Sequence, residues 1–213
     1  SLIIKQQKVF YMTNLFKKAV CFTDIHFGKK NNDRQHNIDA VNFIKWAIEE
    51  GKKAGCDAAI CLGDWSDNRR TLHVSTMNYS LYAMELLAEN FKFYLINGNH
   101  DLYYKEKREI NSVEFGRNID NVVLVKEPLI DGNVGLIPWL VGDEWKAIPE
   151  LKVKYLFGHF ELPHFLLNAM VPMPDHGHLQ LDSFKHPDYI FSGHFHKRQI
   201  KKNKFGKNVI YIG

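Results

Sequence analysis

Three short apolar runs alternate with two stretches of helical period in the first half of the chain, and no other feature constrains the fold as much. Residues 17–24 (KKAVCFTD), 57–64 (DAAICLGD) and 91–101 (FKFYLINGNHD) read as strands. Residues 36–55 set Ile38, Val41, Ile44 and Ile48 on one helical face and are closed by Gly51 and Gly55. Residues 71–90 do the same with Leu72, Met77, Leu81 and Met84, joined by Tyr79 and Tyr82, a stripe read as core before interface. Strand, helix, strand, helix, strand implies right-handed crossovers and parallel pairing. The second half reads differently. NVVLV, EPLIDGN, VGLIPWL, KVKYLFGH, DYIFSGH and KNVIYIG are short strands with little helix between them, so the expected fold is α/β, layered as an α+β sandwich. Residues 161–187 carry four of the seven prolines and predict a long loop with one short helix.

At 213 residues the chain is long enough to bury one sizeable core. Its longest apolar runs, such as AAICL and VVLV, are too short to span a bilayer, so no membrane role is expected. Residues 1–16 are interrupted by Lys5, Gln6, Gln7 and Lys8 and show no small-residue cleavage site. They read as an N-terminal extension or expression remnant, and residues 17–213 as one domain. Cys21, Cys56 and Cys61 lack metal-binding spacing and fit buried thiols in a reducing, intracellular (cytoplasmic) setting.

The strand ends carry the chemistry. Asp24 and His26 follow the first strand, Asp64 and Asp67 the second, and Asn99, His100 and Asp101 the third. His159 follows KVKYLFG, and His194 and His196 follow DYIFSG. Ligands of α/β sheets gather at carboxyl ends of strands, and a glycine before a ligand lets the backbone approach closely. Any one cluster has a bland reading as a cap, a turn or a hydrogen-bonded histidine. Five at strand ends together do not. Two aspartates, one asparagine and four histidines, without a thiolate, suit two divalent ions, Mn2+ foremost with Fe or Zn as alternatives. Seven side chains exceed one coordination sphere. His194 and His196, on one face at i, i+2, then serve different ions.

The order D-x-H, G-D-x-x-D, G-N-H-D, G-H, G-H-x-H resembles the calcineurin-like metallophosphoesterase superfamily over residues 17–213. DIHFG, GNHD, IPWL, GHFE and GHFH followed by YIG are most similar to SbcD-type DNA repair and recombination nucleases, the phage-encoded versions in particular. The resemblance implies two central mixed sheets flanked by helices. It places Asp24, His26 and His196 on one metal, Asn99, His159 and His194 on the other, and Asp64 between them. His100 would contact the scissile phosphate and assist the leaving oxygen, Asp101 would orient His100, and Asp67 would stand behind the ligands. It also implies DNA as substrate, an SMC-like ATPase partner and a homodimer through the region of residues 71–90. SbcD-type chains continue past YIG, so the C-terminal capping region is expected to be absent here.

The metal motifs alone do not choose the substrate. A small-molecule or phosphoprotein phosphoesterase and a non-catalytic scaffold of the same fold stay open. Charge placement favours DNA: Lys29 and Lys30, Arg69 and Arg70, Lys105, Lys107 and Arg108, and Lys197, Arg198, Lys201 and Lys202 each trail a motif. DHGH at residues 175–178 is another H-x-H, but without a strand leading in it reads as a solvated loop.

Overall fold

A computed structural model describes residues 13–213; residues 1–12 of the expected N-terminal extension lie outside the described residues. Strands β1 (Ala19–Phe22), β2 (Ala58–Cys61), β3 (Lys92–Ile96) and β4 (Val122–Val125) form a sheet in that order, and every pair is parallel. This is what the strand and helix alternation requires. Six further strands follow: β5 (Leu129–Asp131), β6 (Val134–Ile137), β7 (Tyr155–Gly158), β8 (Tyr189–Ser192), β9 (Gln199–Lys202) and β10 (Asn208–Tyr211). They form the second sheet in the order β5-β6-β7-β8-β10-β9, with β5 and β9 antiparallel at the two edges. Only this sheet is mixed.

Helices α1 (Arg34–Lys53) and α2 (Val74–Asn90) cover the outer face of the first sheet. Asp33 caps α1 by accepting from the His36 N–H at 3.1 Å. Ala40, Val41, Ile44, Ala47 and Ile48 then recur at helical spacing on its buried face. Alternation along β2 explains why the whole run AAICL is apolar. Ala59 and Cys61 face the helices, while Ala58, Ile60 and Leu62 face Val134, Leu136 and Phe157 of the second sheet. The far side of the second sheet is covered by Phe160 and by the Pro-rich segment, through Leu162, Phe165 and Phe184. Within that segment a single short 3-10 turn, Leu181–Ser183, is the only helical piece.

Three sequence expectations change. Gly51 does not end α1 but lies inside it, where Phe91 and Val20 pack so closely that a Cβ would have no room. Gly55, at φ 73°, alone closes it. The stripe read over residues 71–90 is only partly core: Met84 is buried, Tyr79 packs against the core and Leu81 is half-buried, but Leu72, Met77 and Tyr82 are exposed. Residues 199–202, whose lysines stand out only as charge, form the edge strand β9. Alternating burial along QIKK marks it, and lysines are common on solvent-facing edges.

Candidate metal centre

Because β1, β2 and β3 run parallel, their carboxyl ends share one edge; β7 and β8, parallel to each other, end at the same place in the second sheet. The chain leaves β1, β2 and β8 through sharply turned loops. Asp24, His26, Asp64 and His194 all adopt positive φ, at 56°, 52°, 53° and 93°. Non-glycine residues rarely do so, and such strain gathers where a structure must aim a side chain. The loops after β1 and β2 are tied in register by Asp24 N–H to Gly63 O and His26 N–H to Asp64 O, both 3.0 Å.

Two glycines set the distance of closest approach. A Cβ on Gly98 would fall on the amide and Oδ1 of Asp64, and one on Gly193 would fall on Thr23 Oγ1 and beside Asp24 Oδ2. With hydrogen there instead, the loops of the two sheets close onto one centre.

The side chains gather in three groups, with ligand atoms in each within 4.8 Å of one another; His26, Asp67 and His100 form one at the edge. Of the other two, the first is Asp24, His26 and His196, and the second Asp64, His159 and His194. Asp64 lies between them, its Oδ2 3.3 Å from His159 Nε2 and 3.8 Å from His26 Nε2. Asn99 Oδ1 joins the second group at 3.0 Å from His159 Nε2 and 3.2 Å from His194 Nδ1. All seven ligand candidates therefore meet at one centre.

Hydrogen bonds fix which nitrogen faces inward. His159 Nδ1–H donates to Leu62 O at 2.7 Å, leaving Nε2 for the centre. His194 presents Nδ1, since Nε2 is 3.2 Å from Glu161 Oε1. His26 Nδ1 lies 3.1 Å from Asp67 Oδ1, a charge contact poorly aligned for a hydrogen bond, and His26 O accepts from His36 Nε2 at 2.9 Å.

The donor set fits divalent metal ions. Asp24 Oδ1 is buried without a hydrogen-bond partner, and His26 Nε2 faces His196 Nε2 at 3.3 Å, an arrangement one shared cation satisfies. The field agrees. Burial works against the charged form of His159, yet Asp64 overrides it and raises its pKa to about 9. Burial likewise pushes Asp64 up, and the facing His159 charge pulls it down to about 2. Asp24 is also held well below the carboxylate range, because His196 and His26 outweigh its burial. Carboxylates that draw protons onto buried imidazoles draw a divalent cation by the same attraction.

His100 is placed at the edge of this centre. Its backbone N–H donates to Asp64 Oδ1 at 2.8 Å, and its Nδ1 lies 2.9 Å from Asp67 O. The orienting contact expected from Asp101 is thus made by the Asp67 carbonyl. The Asp101 carboxylate is fully buried and instead accepts from the N–H groups of Gly98, Ser66 and Trp65, at 2.8, 2.9 and 3.4 Å. It braces the loops after β2 and β3. Burial, reinforced by the Asp64 charge, raises its pKa to about 7.

The basic residues divide. Lys30, Arg70, Lys105, Lys107, Lys197 and Arg198 are exposed, and Lys29 and Arg69 are half-buried. Arg108 is engaged by the Glu144 carboxylate and by Lys126 O, and Lys201 Nζ donates to His164 O at 2.9 Å, so these two are spoken for. Among the trailing cations, Lys105 borders a cleft of about 480 Å³ that His159 and Glu161 also line.

Sequence reasoning missed Glu161, Trp139 and His36. Glu161 is two residues beyond His159, and so on the same side of an extended chain, which its position in GHFE could have signalled. Trp139 follows β6, another strand end, and its ring centroid lies 5.3 Å from that of His194. The His36 ring meets the backbone carbonyls of Ile25 and His26 and left no signal in the sequence.

A family model for the calcineurin-like phosphoesterases matches residues 17–198. Exonuclease subunit 1 of Enterobacteria phage T4 is 32% identical over 206 residues, which is 92% of this chain and 58% of that protein. The chain therefore spans little more than half of that relative's length. A dimetal phosphatase from Danio rerio superposes with a TM-score of 0.59 over 90% of this chain and 85% of its own, at 11% identity, a likeness of fold alone.

Proposed function

The chain belongs to the calcineurin-like phosphoesterase family, and from that premise we propose that it is a Mn2+-dependent phosphodiesterase that cleaves DNA. One observation carries the reading: two groups of metal-ligating side chains meet at Asp64, with His100 held beside them. Asp24, His26 and His196 would hold one ion, Asn99, His159 and His194 the other, and Asp64 would serve both. When bound, a pair of divalent ions polarises a phosphoryl group and activates water for in-line displacement.

The chain's own residues supply the rest. A carbonyl only accepts, so His100 Nδ1 carries a proton for Asp67 O and leaves Nε2 to face the scissile phosphate. In its charged form His100 donates from Nε2 to the leaving oxygen. Glu161 fixes the His194 ring, Asp67 sits behind His26, and Asp101 keeps the turn carrying His100 from shifting. The substrate assignment is supported by the likeness to a phage exonuclease subunit and by the exposed lysines and arginines that trail the motifs. That relative's designation as a subunit also supports a partner protein, which the resemblance to SbcD-type nucleases implies is an SMC-like ATPase. The exposed side chains of Phe43, Trp46, Met77 and Tyr82 support pairing with a second copy through α1 and α2.

The test is cleavage of labelled duplex and single-stranded DNA by the Mn-loaded chain, beside p-nitrophenyl phosphate as a monoester. DNA cleavage abolished by EDTA is the expected result. Rapid monoester hydrolysis with intact DNA would assign the site to a small-molecule phosphatase instead.

A further inference from the structure

We propose that the cleft beside the second metal group is a stacking pocket for one unpaired nucleobase, that of the nucleotide whose phosphate occupies the metal centre. This rests on the phosphodiesterase reading above and deepens it. The cleft encloses about 480 Å³, within the range of small-ligand sites, and is walled by Trp139, Trp145, Met173, His176 and His178.

Its inner end is the metal centre itself. His159 and Glu161 line both, and Trp139 lies 6.1 Å from the His159 ring and 5.3 Å from that of His194, centroid to centroid. A phosphate held there would direct its own nucleoside into the cleft. The outer wall is preassembled. Trp145 and His178 stack at 5.7 Å with an interplanar angle of 25°, so Trp145 is braced on one side. The histidines of DHGH, which ligate nothing in the described metal groups, thereby acquire a use.

The chemistry selects the occupant. The lining is not wholly apolar, since Lys105, Glu106, His176 and His178 stand on it, and a base carries ring nitrogens and exocyclic groups that can meet them. Every base offers a flat π-face to an indole, and aromatic stacking tolerates all four. Lys105 on the rim adds a cation for a neighbouring phosphate. Stacking on an indole needs an open π-face, which a base paired and stacked inside a duplex does not offer. The terminal nucleotide must therefore leave its partner strand to enter, at a small cost for a frayed or single-stranded end.

The experiment uses two chromogenic diesters of the same leaving group, p-nitrophenyl thymidine 5′-phosphate and methyl p-nitrophenyl phosphate, with the Mn-loaded parent, Trp145→Ala and Trp145→Phe. The parent should show a KM about tenfold lower for the nucleoside ester, Trp145→Ala should lose that preference, and Trp145→Phe should keep most of it. Equal KM values in the parent would overturn the pocket while leaving the phosphodiesterase reading intact. If neither ester is cleaved, that reading fails, and quenching of tryptophan fluorescence by thymidine 5′-monophosphate decides the pocket by itself. Saturable quenching in the parent that is lost in Trp145→Ala, with circular dichroism unchanged, supports it; none in the parent overturns it.

Discussion

The backbone N–H of His194 donates to Asp24 Oδ2 at 3.1 Å, joining the end of β8 to the end of β1 across the two sheets. The same carboxylate oxygen accepts from Thr23 Oγ1 at 2.6 Å, while Oδ1 is left facing His26 and His196. One aspartate thus both seams the sheets and opens toward the centre, which makes the site an outcome of sheet packing.

Two ions are expected per chain at Mn2+ saturation, with His194 and His196 on different ones. The His196 side chain is 53% exposed, so its removal should not disturb the core. Calorimetric titration of His196→Ala should show one site retained and one weakened. Ions that bind only the folded chain also raise its melting temperature, so EDTA should lower it in the parent. A single ion in the saturated parent would refute the arrangement.

His100→Ala should keep both ions and the fold, because the seven ligand candidates do not include it, yet lose about 10²- to 10⁴-fold in cleavage. Metal content and rate measured on one preparation separate these outcomes. Parental activity would remove His100 from the mechanism.

Arg70 is exposed and Arg69 half-buried after the second motif. If they contact phosphates, DNA affinity should fall with salt at a log–log slope of about −0.9 per contact, and Arg69→Ala with Arg70→Ala should flatten it by about two contacts. Fluorescence anisotropy at several salt concentrations measures this. An unchanged slope would place the DNA elsewhere.

Asp57 accepts from the backbone N–H groups of Lys17 and Lys18, at 3.0 and 2.8 Å, and pins the entry to β1 against β2. Its slight burial pushes the carboxyl up, but those N–H groups outweigh it and hold the pKa below the ordinary value. A depressed folded-state pKa gives stability that is complete above the unfolded value of about 3.9 and is lost as pH falls through the folded one. Asp57→Asn should therefore cost about 1 kcal/mol near neutrality, discounted for its exposure, and the gap should close on acidification below about pH 3.9. Urea unfolding of both proteins at pH 6 and pH 3 checks the sign.

The sequence by itself determined the local architecture: parallel pairing of β1 to β3 from the alternation, helix α1 from its apolar spacing, and the metal-ligating types from clusters at strand ends. These are legible because period, turn chemistry and ligand type are carried by neighbouring residues. Tertiary structure alone decided how the two sheets pack, and with it the pairing of residues 170 positions apart, such as Asp24 with His194. It also gave His100 its partner in the Asp67 carbonyl and Asp101 its place as a brace. Half of the stripe over residues 71–90 was left exposed because Thr76, Ser80, Ala83 and Leu87 share the buried face with Met84. Trp139 and Trp145, more than thirty residues from His178, became walls of one cleft. No local pattern specifies such contacts, since they depend on which faces the folded layers bring together.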